Sequence, residues 1–228
     1  MFNKLIKYNS IVSEYWKSSD NKIENSVANE TLIRLIGNLK FKYKNKKVLD
    51  VGIGDGANLL EFRKRGAKIY GVDIREKKIA DFCKKNKLSK KNFYVNDLNI
   101  SFPNIGVKYD LIICKDTFYY LNKNKRLNFL KFCKSILKKK GILIVQFIQT
   151  ELCEIKKKNL LDYSLSNNLR NEKSYHEKNN PITYFTKKEI INLIRRSKLK
   201  LKNNIFDITT HIKNKKFITV NRYLVLMY

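Results

Sequence analysis

Along the chain, short and mostly apolar runs alternate with stretches in which apolar residues recur every three or four positions. Val48–Val51, Lys68–Val72 and Asn92–Val95 read as short strands. Tyr109–Cys114 is so continuously apolar that it predicts a strand buried on both faces of a parallel sheet. Between these runs lie helical patterns. Val27–Leu39 carries Leu32, Ile33, Leu35, Ile36 and Leu39. A stretch from Ala57 carries Leu59, Leu60 and Phe62 and stops at Gly66. Arg75–Asn86 turns Ile79, Phe82 and Cys83 inward, and Asn122–Leu137 sets Leu127, Leu130, Cys133 and Leu137 on one face. Gly141 opens GILIVQF, a fifth strand. No period emerges over residues 149–183. Thr186-Lys187-Lys188-Glu189 is a capping box, followed by a helix with Ile190, Ile191, Leu193 and Ile194. Leu199–Asp207 and Phe217–Tyr228 alternate as a closing antiparallel pair. Strand and helix in alternation predict an α/β fold with right-handed crossovers, a three-layer sandwich whose mostly parallel central sheet ends on an antiparallel strand.

The first strand and its helix are joined by Gly52, Gly54 and Gly56 at alternate positions. Glycine permits a sharp turn and a close ligand, and the N–H groups and positive end of the following helix then face that ligand. This is the geometry of a nucleotide-binding βα unit, but the spacing is G-x-G-x-G, not the dinucleotide G-x-G-x-x-G. Asp50 stands two residues before the first glycine. The pattern resembles the first motif of the class I S-adenosylmethionine-dependent methyltransferases. PITYFTKKEIINLI is similar to a segment that precedes their last two strands, so the resemblance runs from about residue 26 to the C-terminus.

The resemblance implies a Rossmann-like domain with S-adenosyl-L-methionine as cofactor. Gly52, Gly54 and Gly56 would hold its methionine end: the helix start favours a carboxylate, and an acid such as Asp50 or Asp55 favours an ammonium. Asp73, 17 positions past Gly56, ends the second strand, where nucleotide-binding βαβ units hold a ribose diol. A carboxylate can accept from both hydroxyls. Ile74 would lie against the adenine face. Asp97 and Leu98 match the place where an acid accepts the adenine amino group and a backbone N–H reaches the ring. The exit of the fourth strand, Lys115 to Tyr120, belongs beside the transferred methyl group. Lys139-Lys140-Gly141 replaces the family's usual Pro-Gly-Gly-like turn.

Methyl transfer asks mainly for alignment of two partners and removal of water, and a hydroxyl acceptor can also need a general base. Candidates are His176, suited by pKa and next to Tyr175 in the 149–183 insertion, Asp116 and Tyr119. His211 reads as a structural residue in the turn between the last two strands. Nucleic-acid amino-methylating enzymes resemble one another in an Asn/Asp-Pro-Pro-aromatic run after the fourth strand. Here the site reads Lys115-Asp116-Thr117-Phe118. The oxygen ligands of a catechol-type metal site are missing beside Asp116, and Glu151 and Glu154 are misplaced for a protein-arginine enzyme. The expected activity is methylation of a small polar acceptor, at oxygen, on a sugar, sugar nucleotide or related metabolite. The alternatives are an RNA methyltransferase and a binding protein that keeps the cofactor without turnover.

Composition changes this picture little. At 228 residues, 43% hydrophobic and 12% aromatic, the chain can bury a full core as one domain. Residues 1–25, with Phe2, Tyr8, Tyr15 and Trp16, read as an arm or a lid with an aromatic wall suited to a sulfonium; residues 26–228 read as the methyltransferase domain. A net charge of +29 invites a nucleic-acid partner. Yet abundant Lys, Asn, Ile, Tyr and Phe beside scarce Ala, Pro and Gly follow A/T-rich codon usage, and the lysines lie in every segment, as on a solvated surface. Cys83, Cys114, Cys133 and Cys153 form no C-x-x-C pair and read as buried, reduced thiols. No apolar stretch approaches the ~20 residues of a membrane helix, and the N-terminus lacks the apolar core of a signal peptide, so a cytoplasmic location is expected.

Overall fold

A computed structural model describes residues 27–149, 169–171, 181–213 and 215–228, with side chains for 27–149, 183–205 and 222–228. In chain order it contains α1 (Glu30–Asn38), β1 (Lys47–Val51), α2 (Ala57–Lys64), β2 (Lys68–Asp73), α3 (Glu76–Lys85), β3 (Phe93–Val95), β4 (Tyr109–Cys114), α4 (Lys123–Ile136), β5 (Leu137–Ile148), β6 (Leu169–Asn171), β7 (Pro181–Thr183), α5 (Lys187–Ser197), β8 (Lys200–Lys213) and β9 (Lys215–Met227). The main sheet runs β3-β2-β1-β4-β5-β9-β8. Strands β1 to β5 pair in parallel, while β9 is antiparallel to both β5 and β8. The chain walks outward from β1 to β3 and then crosses to β4 on the other side of β1. That reversal opens a crevice beyond the carboxyl ends of β1 and β4.

The two faces of the sheet bury two separate cores, as period-two strands require. Leu49 and Val51 of β1, Ile112 and Cys114 of β4 and Leu143, Val145 and Phe147 of β5 face Phe129, Leu130, Cys133 and Ile136 of α4 and Ile190 of α5. Val48, Leu111, Ile113, Ile142 and Ile144 face Leu32, Leu35 and Ile36 of α1, Leu59 and Phe62 of α2, and Ile79, Phe82 and Cys83 of α3. Each Val, Leu, Ile or Phe side chain among these, taken fully out of water, contributes about 1.5–3 kcal/mol. Local signals set the helix ends. Asn29 and Asn122 accept from the N–H groups of Leu32 and Lys125 at the starts of α1 and α4, and the Thr186–Glu189 capping box is formed. Gly66, at φ +88°, follows the end of α2.

Several expectations need correction. The inward face of α4 is Arg126, Phe129, Leu130, Cys133 and Ile136, with Leu127 only half-buried. Leu137 leaves the helix and starts β5, which therefore begins before Gly141. Tyr109 pairs with Leu137 and Leu111 with Ile142, so the lysines between them bulge out of register. Gly141 is needed there for closeness, since a Cβ would come within 2.8 Å of the Lys138 carbonyl oxygen. The last two strands are longer than their alternation suggested. His211 lies in β8 opposite Phe217, not in the turn, and the hairpin runs past Ile148, where pairing of β5 with β9 stops at Asn221. Part of the aperiodic stretch forms the small antiparallel pair β6–β7. Residues 1–25, His176 and Cys153 lie outside the described residues. Cys83, Cys114 and Cys133 are buried free thiols, each with its pKa pushed up by burial.

Candidate active site at the carboxyl edge of the sheet

The three loop glycines all have positive φ, at +80°, +54° and +76°, but only one leaves open space. A Cβ at Gly52 would strike the Thr117 hydroxyl, and one at Gly56 would strike the ring of Phe82. At Gly54 the nearest atom is Arg75 Nη2, 3.7 Å away. Gly52 and Gly56 are therefore required by packing, whereas Gly54 leaves room for a ligand. Beyond the loop, α2 starts at a left-handed Gly56 without a side-chain cap, so its first N–H groups have neither an intrahelical acceptor nor a cap.

Asp50, at the end of β1, is 2% exposed. Burial pushes its pKa from 3.8 up to about 7. Lys115 pulls it down, Asp73 and Asp116 push it up, and a hydrogen bond from Asn58 lowers it. That network places Asp73, Lys115 and Asp116 each within electrostatic reach of Asp50. Asn58 Oδ1 accepts from the backbone N–H of Asn29 at 2.9 Å, so the root of α1 and the first turn of α2 are tied to Asp50. Asp55 is salt-bridged to Lys78 of α3, which leaves Asp50 as the acid at the loop.

Asp73 is 5% exposed at the tip of β2. Its Oδ2 accepts from Gly54 N–H at 2.9 Å, and its Oδ1 from Arg75 N–H at 2.9 Å and Arg75 Nε at 3.2 Å. Half-buried Ile74 lies between them. Past β3, Asp97 Oδ1 accepts from Asn99 N–H at 2.9 Å in an Asx turn, and the Leu98 side chain joins the core. Asn99 crosses to the next strand tip. Its amide donates to the Tyr120 carbonyl at 3.2 Å, and its Oδ1 accepts from Asn122 N–H at 2.9 Å.

At the exit of β4, Asp116 has φ +52°, a left-handed conformation uncommon away from glycine. Its N–H donates to Gln146 Oε1 at 2.8 Å, Tyr119 OH donates to its Oδ1 at 3.1 Å, and Lys115 pairs with its Oδ2. The carboxylate remains half-exposed, so the structure brings the candidates Lys115, Asp116 and Tyr119 into one cluster. Behind it, Phe118 packs against Phe129, Phe147 and Phe185, and buried Arg126 donates to the Leu121 carbonyl at 2.8 Å and to Thr183 Oγ1 at 2.6 Å. Asn58, Arg75, Asn99, Arg126 and Gln146 were not singled out from the sequence. Gln146 had a signal there, as the lone polar residue in GILIVQF. Arg126 had none, because its hydrophobic neighbours suggested a face one position away. Among the described residues no cluster of His, Cys, Asp or Glu could hold a metal ion.

The profile of the methyltransferase domain family matches residues 48–141, the span from β1 to the bulge in β5. A protein of Methanocaldococcus jannaschii, named as a protein N5-glutamine methyltransferase, is 31% identical over 163 residues, covering 68% of this chain and 78% of the relative. The chain belongs to the class I S-adenosylmethionine-dependent methyltransferases. The ubiquinone biosynthesis O-methyltransferase of Coxiella burnetii is 26% identical over 155 residues, and the matched part is 61% of its length. The magnesium protoporphyrin IX methyltransferase of Synechocystis PCC 6803, solved with bound S-adenosylmethionine, shares the fold with a TM-score of 0.60 and 16% identity over 97% of both chains. This methyltransferase uses S-adenosylmethionine as cofactor. The residues at the strand tips have the chemistry such a group asks for: open space at Gly54, a buried carboxyl group at Asp50 and a buried acceptor at Asp73. No described helix is long and apolar enough to cross a membrane.

Proposed function

We propose that this methyltransferase acts on a hydroxyl of a small polar molecule, a sugar, sugar nucleotide or related metabolite, with Asp116 as the general base. The observation that carries this reading is the Lys115–Asp116–Tyr119 cluster at the exit of β4. When bound, S-adenosylmethionine supplies a methyl group already activated on a sulfonium, which leaves the protein to align, to exclude water and to take up one proton. Gly54 and the start of α2 receive the carboxylate end of the cofactor, and Asp50 faces the ammonium. Asp73 accepts from the ribose, Ile74 packs on the base, and Asp97 with the Leu98 N–H borders the adenine. Lys115 borders the sulfonium side through its pairing with Asp116. As the acceptor oxygen takes the methyl group, the electron pair of the carbon–sulfur bond that breaks would stay on the cofactor's sulfur, and the acceptor's proton would pass to Asp116, whose carboxylate is held by the Tyr119 hydroxyl and, through its backbone, by Gln146.

A protein amide is a second acceptor class, favoured by the name of the archaeal relative. The sequence Lys115-Asp116-Thr117-Phe118 at this position supplies a carboxylate able to take up the proton that a hydroxyl acceptor gives up, which favours the hydroxyl. The chain leaves β5 at the same edge, the 149–183 stretch is the proposed substrate-facing insertion, and its His176, outside the described residues, is the alternative general base. The test is turnover against a panel of hydroxylated metabolites, followed by Asp116→Asn. This substitution is expected to lower kcat by about 10²–10⁴-fold while cofactor affinity stays within about twofold. Unchanged turnover, or transfer to a glutamine-containing protein instead of any small acceptor, overturns the reading.

A further inference from the structure

The carboxylate assigned to the ribose already holds a cation. Arg75, two residues past Asp73, folds its side chain back so that Nε lies 3.2 Å from Oδ1 and Nη2 3.5 Å from Oδ2. The backbone N–H groups of Gly54 and Arg75 occupy one further position on each oxygen, both at 2.9 Å. A carboxylate offers about four acceptor positions, so two N–H groups and one guanidinium saturate it. The Arg75 side chain is only 12% exposed, and its Nη2 is the atom nearest the open face of Gly54, at 3.7 Å. The guanidinium thus lies across the mouth of the glycine turn, on the acid that a ribose diol needs. The diol and the guanidinium cannot both have Asp73.

We infer that Arg75 sets cofactor affinity: its guanidinium holds Asp73 while the site is empty and has to leave before a ribose can be bound. The inference rests on the reading of Asp73 as the ribose acid. The two backbone donors do not depend on Arg75's side chain, so the carboxylate stays oriented when the guanidinium goes. What the ribose gains is therefore reduced by the ion pair it replaces. A partly buried, charge-assisted pair is stronger than an exposed one, so the reduction is measurable.

Calorimetry of the full chain with adenosine, which is neutral and carries the diol, and with S-adenosylhomocysteine separates the possibilities when combined with melting of the ligand-free protein. Arg75→Ala is expected to bind both ligands about fivefold more tightly, to melt at a lower temperature when empty, and to show a larger ligand-induced rise in Tm. Arg75→Lys keeps the charge without the planar fork and falls between the two. Arg75→Gln, which keeps most of the stem, follows Arg75→Ala in direction and serves should the alanine variant fail to fold. Equal or weaker binding by both Arg75→Ala and Arg75→Gln overturns the inference while leaving the ribose site intact. Asp73→Ala is expected to lose binding. If it binds like the wild type, or if the wild type binds neither ligand, the ribose reading fails first and the role of Arg75 falls with it.

Discussion

Asp50 is the residue whose environment decides most. The sequence showed an acid two positions before a glycine turn but not how deeply it would be buried, because depth depends on the strands and helices that enclose it. In the fold its pKa rises to about 7, chiefly through desolvation. Such a group works against the empty protein as pH rises. Below its ordinary value of 3.8 it is protonated both folded and unfolded. Between about 4 and 7 the unfolded chain ionises while the folded chain keeps the proton, so stability falls with rising pH, by roughly 4 kcal/mol once both states are ionised. Asp110 behaves oppositely: burial raises its pKa, but Lys138, the Lys47 N–H and Lys46 outweigh burial and lower it, so its stabilising effect disappears only below the ordinary carboxylate range. Asp50→Asn is therefore expected to gain Tm relative to the wild type as pH rises from about 5 to about 8 without ligand, with most of that gain cancelled by S-adenosylmethionine if, as proposed, its ammonium pairs with the carboxylate. A Tm difference that does not change with pH contradicts the burial effect.

At the scale of elements, the glycine loop was legible as a unit but not in its division of labour. Alternate glycines after a short apolar run announce strand, turn and helix. That Gly52 gives way to Thr117 and Gly56 to Phe82 follows from where β4 and α3 come to rest, which no local pattern states. Gly56→Ala is expected to lower Tm markedly, since the methyl meets the Phe82 ring at a positive φ. Gly54→Ala costs only the local backbone strain, about 1–2 kcal/mol, yet should weaken S-adenosylhomocysteine binding about tenfold or more. Melting curves and titration calorimetry on the two variants check this, and the reverse ranking would remove the loop from the site. The same contrast explains α4 and β5. Periodicity found the helix and placed Leu130 and Cys133 inward, but took Leu127 and Leu137 where the buried positions are Arg126 and Ile136; Arg126 is held among Phe185, Thr183 and the Leu121 carbonyl. Basic residues at Lys138–Lys140 hid the start of β5, since a bulged strand does not show alternation.

At the scale of the molecule, the fold class, a mostly parallel sheet between helices with an antiparallel final strand, was legible because the strands and helices of the main sheet carried their own signals and parallel crossovers are right-handed. The reversal between β1 and β4 then places the glycine turn, Asp73 and the Asp116 cluster along one edge. What the sequence could not convey is the chain between β5 and α5, where no period announced even the short β6–β7 pair, and with it the identity of the acceptor. The net charge of +29 was similarly silent, because lysines spread through every segment define no face. The most direct measurement is a crystal structure of the protein grown with S-adenosylhomocysteine. Density for the homocysteine end over Gly54 and beside Asp50, with the ribose on Asp73 in place of the Arg75 guanidinium, is the expected result. Density for the ligand anywhere else, or none at a concentration where calorimetry shows saturation, would contradict it.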